Sequence, residues 1–414
     1  MVRSIYFTNS LVGLLSVILP TPEETQLLRA CLWSGEPGAG AWRNWSSKIA
    51  DPAAFLRQEK EGIKGLLPLL FDTLQANGVL VEGEFRTYLR TAYLRDELRS
   101  RTYSRICQNV IDALASAGIP GVLLKGAVLA ETCYKHPSLQ HAHYLDILIK
   151  SGDLNRAVKM LGLHGFTCAE HSDWKPEGVE LVHESGLPLV LHRRLFRAPF
   201  YPIDMKEIWA RSRTERINGA PTRVLCSEDN LFHICGSVFD LEPHQSLRWV
   251  CDAWFLIQRS TDLDWNLLAE RARGSRMVLP LMVTTCYLAE SLGAPIPASF
   301  MDGLQAAAQE TAPIEGEVAL LAVQTSAQGG LKKILLSCDD RPTRKFVLKW
   351  ALLPSREYMR FVYGVPTPVL LPLSYLYRPL KYLVRSLWFC GRRLARRLRE
   401  RCDPWLGPAN VVSS

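Results

Sequence analysis

The sequence lacks any run of about 18 apolar residues, so no segment qualifies as a membrane-spanning helix. It also lacks a Cys-x-x-Cys pair. Its eleven cysteines are odd in number and scattered from Cys31 to Cys402. That argues against a disulfide framework or a zinc site, and for buried reduced thiols in a cytoplasmic protein. Internal repeats and low-complexity tracts are missing too. With 48% hydrophobic and 22% charged residues, the chain is not disordered, collagen-like or fibrous. Its 414 residues imply two to four domains, or one with large elaborations.

The body of the protein also lacks a charge surplus. The chain carries 49 Lys and Arg against 41 Asp and Glu, net +8. Nine of the basic residues (Arg378, Lys381, Arg385, Arg392, Arg393, Arg396, Arg397, Arg399 and Arg401) fall in the segment 376–401, opposed there only by Glu400. Residues 1–375 hold 40 basic and 39 acidic groups, which leaves nothing for a long basic groove and argues against nucleic acid as the partner. The apolar stretch Leu11–Leu19 is short and bounded by Pro20 and Pro22. Thr21-Pro22-Glu23-Glu24 then reads as a capping box with proline at the first helical position, so this segment reads as part of the fold and not as a signal peptide.

Along the chain, residues 1–118 read as helical. Glu61–Gln75 carries Ile63, Leu66, Leu67, Leu70 and Phe71 at helical spacing, and a long helix covers about Glu84 to Ala117, closed by Gly118 and Pro120. Residues 119–200 change character: a strand at Gly121–Leu124, a Lys125-Gly126 turn, a helix at Ala127–Tyr134, a strand at Tyr144–Ile149, a helix over Ser151–Gly165, and strands at Glu180–His183 and Leu187–Leu191 around Ser185-Gly186. Residues 201–355 read as helical again, over Asp229–Phe239, Leu247–Gln258, Asp264–Arg273, Met277–Leu292 and Arg344–Leu353. The remainder, 356–414, combines a proline-containing linker at Val365–Leu373 with a basic amphipathic tail helix bearing Leu380, Val384, Leu387, Leu394 and Leu398 on one side. The fold class is therefore α+β: a small mixed sheet flanked by N- and C-terminal helical regions.

A Lys-Gly turn opening a helix, followed by a strand with a carboxylate, is the pattern of a nucleoside triphosphate site. Glycine admits phosphate close to the backbone, lysine adds charge, and a carboxylate can hold Mg²⁺. Gly-Val-Leu-Leu-Lys-Gly-Ala-Val-Leu-Ala (121–130), the Asp146 strand, the helix from Asp153 and Leu-Val-Leu-His-Arg-Arg-Leu (189–195) resemble a bacterial family of uncharacterised nucleotidyltransferases with the DNA-polymerase-beta-like fold. Leu247–Asp252, Asp264-Trp265 and Leu292–Pro295 extend the resemblance into the flanking helices, over most of residues 10–300. It implies Mg²⁺-dependent transfer of a nucleotidyl or phosphoryl group from a nucleoside triphosphate to a hydroxyl acceptor. Asp146 would bind metal and act catalytically with Lys125, while Lys125, Gly126, His192 and Arg194 would bind nucleotide.

The chain departs from the family pattern at decisive positions. The first carboxylate of the family's Asp-x-Asp is Tyr144, the later Glu is Val190, and the upstream Arg is Gln140. One carboxylate of three remains, which implies an impaired enzyme or a catalytically inactive pseudoenzyme serving as a binding or scaffold module. Glu180, Glu184, His141 and His143 are the nearby substitutes, and Asp146-His192-His143 is a conceivable transition-metal set. Asp252 reads as a structural pair within the helical region. The tail, residues 376–402, is open either to an anionic membrane surface or to packing on the body. The expected location is cytoplasmic, with peripheral membrane contact if the tail binds lipid.

Overall fold

A computed structural model of the chain describes residues 11–58, 61–141, 144–168, 178–196, 201–239, 247–325, 341–356, 358–359, 363, 371–378 and 380. The chain divides into two compact units, Met1–Cys338 and Asp339–Ser414.

In the first unit, helix α1 (Pro22–Leu32) opens with the expected capping box. The Thr21 hydroxyl accepts from the Glu24 backbone N–H, and the Glu24 carboxylate accepts from the Thr21 N–H at 2.7 Å. Leu11, Leu14 and Leu15 ahead of it are buried. Helices α2 (Gly35–Ser46) and α3 (Leu67–Ala76) follow, and the apolar stretch from Glu61 is broken before α3 into a separate short turn, Glu61–Lys64. The long helix α4 (Gly83–Ser116) ends at Gly118, whose φ of 63° only glycine adopts without strain.

The sheet has seven strands: β1 (Gly121–Leu124), β2 (Leu145–Ile149), β3 (Phe166–Cys168), β4 (Gly178–His183), β5 (Pro188–His192), β6 (Arg213–Ile217) and β7 (Ala220–Val224). Their order is β3-β4-β5-β2-β1-β7-β6. β2 runs antiparallel to β1 and parallel to β5, and β7 runs parallel to β1, so the sheet is mixed. Helix α5 (Gly126–Thr132) connects β1 to the segment before β2, and α6 (Leu154–Gly162) leads from β2 to β3.

The α+β class stands, but the sheet is larger than the local patterns indicate. The hairpin β6–β7 lies in a stretch read as helical from residue 201 onward. β6, Arg-Thr-Glu-Arg-Ile, is polar at all but its last position, and β7, Ala-Pro-Thr-Arg-Val, is broken by Pro, Thr and Arg, so neither shows an apolar run. Only Ile217, Thr222 and Val224 point inward. β3 escaped for a related reason: two of its three residues are exposed.

Period-two alternation gives the sheet two faces. One carries Leu123, Leu145, Ile147, Ile149, Leu189 and Leu191, packed against Ile106, Cys107, Val110 and Leu114 of α4 and Leu154, Ala157 and Leu161 of α6. Each such fully buried aliphatic side chain stabilises the fold by roughly 1.5–3 kcal/mol. The opposite face carries Asp146, Val190 and His192.

After the sheet come α7 (Ser227–Ser237), α8 (Arg248–Arg259), α9 (Trp265–Gly274), α10 (Val278–Cys286) and α11 (Ala298–Thr325). α11 was not read from the sequence, where Ala, Gly and Gln blur its periodicity. In the second unit the described residues form α12 (Arg341–Leu352) and α13 (371–378). α13 begins at Leu371 with Pro372 in its first turn, so the end of the expected linker is helical.

Candidate functional site

The candidate site grows from sheet register. Leu124 is the last residue of β1 and pairs with Asp146, so Lys125, the next residue, stands beside that carboxylate. Val190 of β5 pairs with Asp146 from the other side. His192, two residues on, shares the face of Val190 and reaches back. Its Nε2 lies 2.5 Å from Asp146 Oδ1, and Lys125 Nζ lies 3.5 Å from the same oxygen. Asp146 is only 3% exposed, and His192 is buried as well. The Lys125 side chain retains 27% exposure, so the network meets solvent through the lysine.

Lys125 takes φ 53° and ψ −134°, a backbone conformation that disfavours a side chain. Such a residue costs on the order of 1–3 kcal/mol and persists only where its surroundings hold it. The glycine expected to supply this freedom, Gly126, is needed for a different reason. A Cβ there would lie 2.6 Å from Gln140 Nε2 and 2.7 Å from its Oε1. Gln140 is buried and donates to both carboxylate oxygens of Asp252 at 3.3 Å, and the Tyr134 hydroxyl donates to the same carboxylate at 2.7 Å. Burial pushes the Asp252 carboxyl up, against the lowering effects of Tyr134, Arg248 and Gln140. Asp252 therefore ties α8 to Tyr134, just past α5, and to Gln140 ahead of β2; its partners lie in the sheet-bearing segment and not within the helical region, where the pair was expected.

Burial alone would push the Asp146 carboxyl up. The Lys125 charge and the His192 hydrogen bond and charge, with a contribution from His233, outweigh it and hold Asp146 well below the usual carboxylate range. Asp146 is thus an internally neutralised carboxylate. His233, on α7, is the member that sequence reasoning missed. It is 1% exposed, its Nδ1 has no hydrogen-bond partner among the described residues, and its ring stands edge-on to Phe196 with centroids 5.5 Å apart. Burial first, then the Lys125 and His192 charges, push its pKa well below the usual histidine value, so the ring is neutral. An apolar helical context gave no signal in the sequence that this histidine faces Asp146.

The other expected residues are dispersed. Arg194 is exposed and lines a separate cavity of ≈ 320 Å³ with Tyr201, Asp204 and Lys206. His141 is turned away from Asp146: its Nδ1 lies 2.6 Å from Asp96 Oδ2 on α4, and the Arg248 guanidinium donates to its carbonyl. His143 lies outside the described residues, so the Asp146-His192-His143 set is not addressed by the structure. Glu184 is exposed at the β4–β5 turn. Glu180 pairs with Val190 and so shares the row of Asp146, but exposed and two strands away, roughly 10 Å between backbones.

The carboxylates therefore do not converge. Two-metal phosphoryl transfer needs ions about 4 Å apart, bridged by shared carboxylates. Here Val190 stands between Asp146 and Glu180, Tyr144 supplies no carboxylate, and one Asp146 oxygen is shared by Lys125 and His192. Among the described residues no group of three or more His, Cys, Asp or Glu could hold a metal ion. The donor set does not fit a two-metal centre.

A protein-family model described as uncharacterised nucleotidyltransferase matches residues 51–293, more than half of the chain. The chain belongs to this nucleotidyltransferase family. The match spans the α4 helix, strands β1–β7 and helices α7–α10, including Lys125, Asp146 and His192. Nucleoside triphosphate and a divalent metal are what the family generally uses. No curated protein and no solved structure matches the chain.

Proposed function

We propose that this nucleotidyltransferase-family protein uses its fold to bind a nucleoside triphosphate, and that group transfer from it is impaired to the point that binding is the site's role. One observation carries this reading: the single carboxylate at the centre, Asp146, is neutralised from within by Lys125 and His192. A carboxylate already paired and buried gains little from an incoming cation, because binding it requires breaking both contacts. Lys125, the partly exposed end of the network, is the group left to meet a phosphate. In this reading Tyr144 and Val190 are the substitutions that closed the metal site.

The second reading keeps Mg²⁺-dependent transfer to a hydroxyl acceptor, with Asp146 as the metal ligand and Lys125 gripping phosphate. Lys125's 27% exposure favours it, since that side of the network is open. Calorimetry of each nucleoside triphosphate with the full chain, with and without Mg²⁺, separates the two. We expect binding that is insensitive to Mg²⁺ and is lost in Lys125→Ala, with no turnover. Mg²⁺-dependent turnover abolished by Asp146→Ala would establish the second reading instead. Absence of binding at millimolar nucleotide would reject both as written. Restoring Tyr144→Asp together with Val190→Glu should create Mg²⁺ binding that the unmodified chain lacks.

A further inference from the structure

Helix α13 is inside out. Its buried positions are Leu371, Ser374 and Arg378, spaced i, i+3 and i+7. Arg378 is 1% exposed; its guanidinium donates to the Trp350 and Ala351 carbonyls at the end of α12 and lies over the Trp350 and Tyr358 rings. The residues it turns outward are apolar: Leu373, Leu376 at 72% exposure, Tyr377 and Leu380 at 57%. This reverses the ordinary rule that a helix in water buries its apolar stripe. Arg378, counted among the nine basic residues of 376–401, is thus a buried tie. The remainder of that tail, from Lys381, lies outside the described residues.

The neighbouring helix also exposes leucines. α12 exposes Leu348 and Leu352, followed by Leu353, alongside Arg341, Arg344, Lys345 and Lys349. The second unit as a whole carries fifteen Lys and Arg against five Asp and Glu, net +10, whereas residues 1–338 carry 34 against 36, net −2. Exposed leucines and a tyrosine in a unit with a large cationic surplus fit a surface that is apolar beneath and anionic on top. No described helix is long and apolar enough to cross a membrane.

We propose that the second unit docks on an anionic lipid surface, with Leu373, Leu376, Tyr377 and Leu380 entering the headgroup boundary and Arg341, Arg344, Lys345 and Lys349 available to lipid phosphates. Lipid is favoured over a protein groove because the apolar face is coupled to a large cationic surplus rather than to mixed charge. Tyrosine is also at home at that depth. This docking is independent of the nucleotide reading.

The test is co-sedimentation of the full chain with vesicles of phosphatidylcholine alone and of phosphatidylcholine mixed equally with phosphatidylglycerol. We expect pelleting with the mixed vesicles only, weakening as salt rises. The variant Leu373→Gln/Leu376→Gln/Leu380→Gln, which alters only exposed side chains, should partition about tenfold less or lower with an unchanged melting temperature. Equal pelleting with neutral vesicles, pelleting that ignores salt, or a variant that binds as well as the parent would each overturn the proposal. So would a concentration-dependent dimer in sedimentation velocity that the variant abolishes, because the face would then be covered by a second copy.

Discussion

Replacing Asp146 by asparagine separates a structural carboxylate from a catalytic one. Lys125 Nζ lies 3.5 Å from Asp146 Oδ1, and unit charges at that distance attract by about 5 kcal/mol at an effective dielectric of 20. Lys125 is partly exposed and would turn toward water once unpaired, which recovers roughly half of that. Asparagine keeps the side-chain shape and can still accept from His192. The expected loss is therefore about 2–3 kcal/mol. In a unit of this size that corresponds to a fall in melting temperature of about 3–4 °C. The sign with pH follows from the direction of the shift. Asp146 is held below its usual pKa, so its contribution is complete above about pH 4 and disappears as acid protonates the folded carboxylate. The gap between parent and Asp146→Asn, followed by calorimetric or circular-dichroism melting, should be widest near neutrality and shrink in acid. A catalytic carboxylate kept poised for metal behaves oppositely, since its removal commonly leaves stability unchanged or raises it. A melting temperature that does not fall on Asp146→Asn would refute the self-neutralised network and with it the reason for reading the site as non-catalytic.

Two further outcomes follow from buried groups elsewhere. Glu315 on α11 is buried, accepts the Leu279 backbone N–H at the start of α10 at 2.7 Å, and is pushed up to about 7 by burial. The folded state therefore holds a proton that the unfolded chain releases near pH 4.5, so stability falls as pH rises from about 4.5 to 7, by up to about 3 kcal/mol. Glu315→Gln retains an acceptor for Leu279 and should flatten that slope in urea titrations across the same range. Gly126→Ala places a methyl group 2.6 Å from Gln140 Nε2, and overpacking of this kind costs about 1–3 kcal/mol. Chemical denaturation should show that loss, and combining the change with Gln140→Ala should recover part of it if the clash is its cause.

Much of the site's neighbourhood was legible in the linear pattern. The capping box at Thr21, the long helix into Gly118, the β1 strand with its Lys125 turn and the Asp146 strand are written in local chemistry, and they fold as that chemistry directs. Tyr144 and Val190 drew attention only through the family resemblance. What escaped has a common cause. β6 and β7 show no apolar run and form by pairing with one another, and β7 with β1, while His233 influences Asp146 only because a helix that follows the sheet in the chain brings it near.

Residue order alone puts one carboxylate, Asp146, on a strand that resembles the nucleotidyltransferase pattern, and gathers cations toward the C-terminal end. Both are properties of residue identity and order. What the carboxylate does with its charge depends on how the strands pair. Whether Asp146 is open to a metal depends on Lys125 and His192 reaching the same oxygen, which requires the register of β1, β2 and β5 to be set. Likewise, Arg378 counts among the nine basic residues of 376–401 in the sequence but becomes a buried tie once Trp350 and Tyr358 close over it, and that inversion turns the leucines of α13 outward. Charge is carried by the residue, but its partner and its exposure are set by the fold.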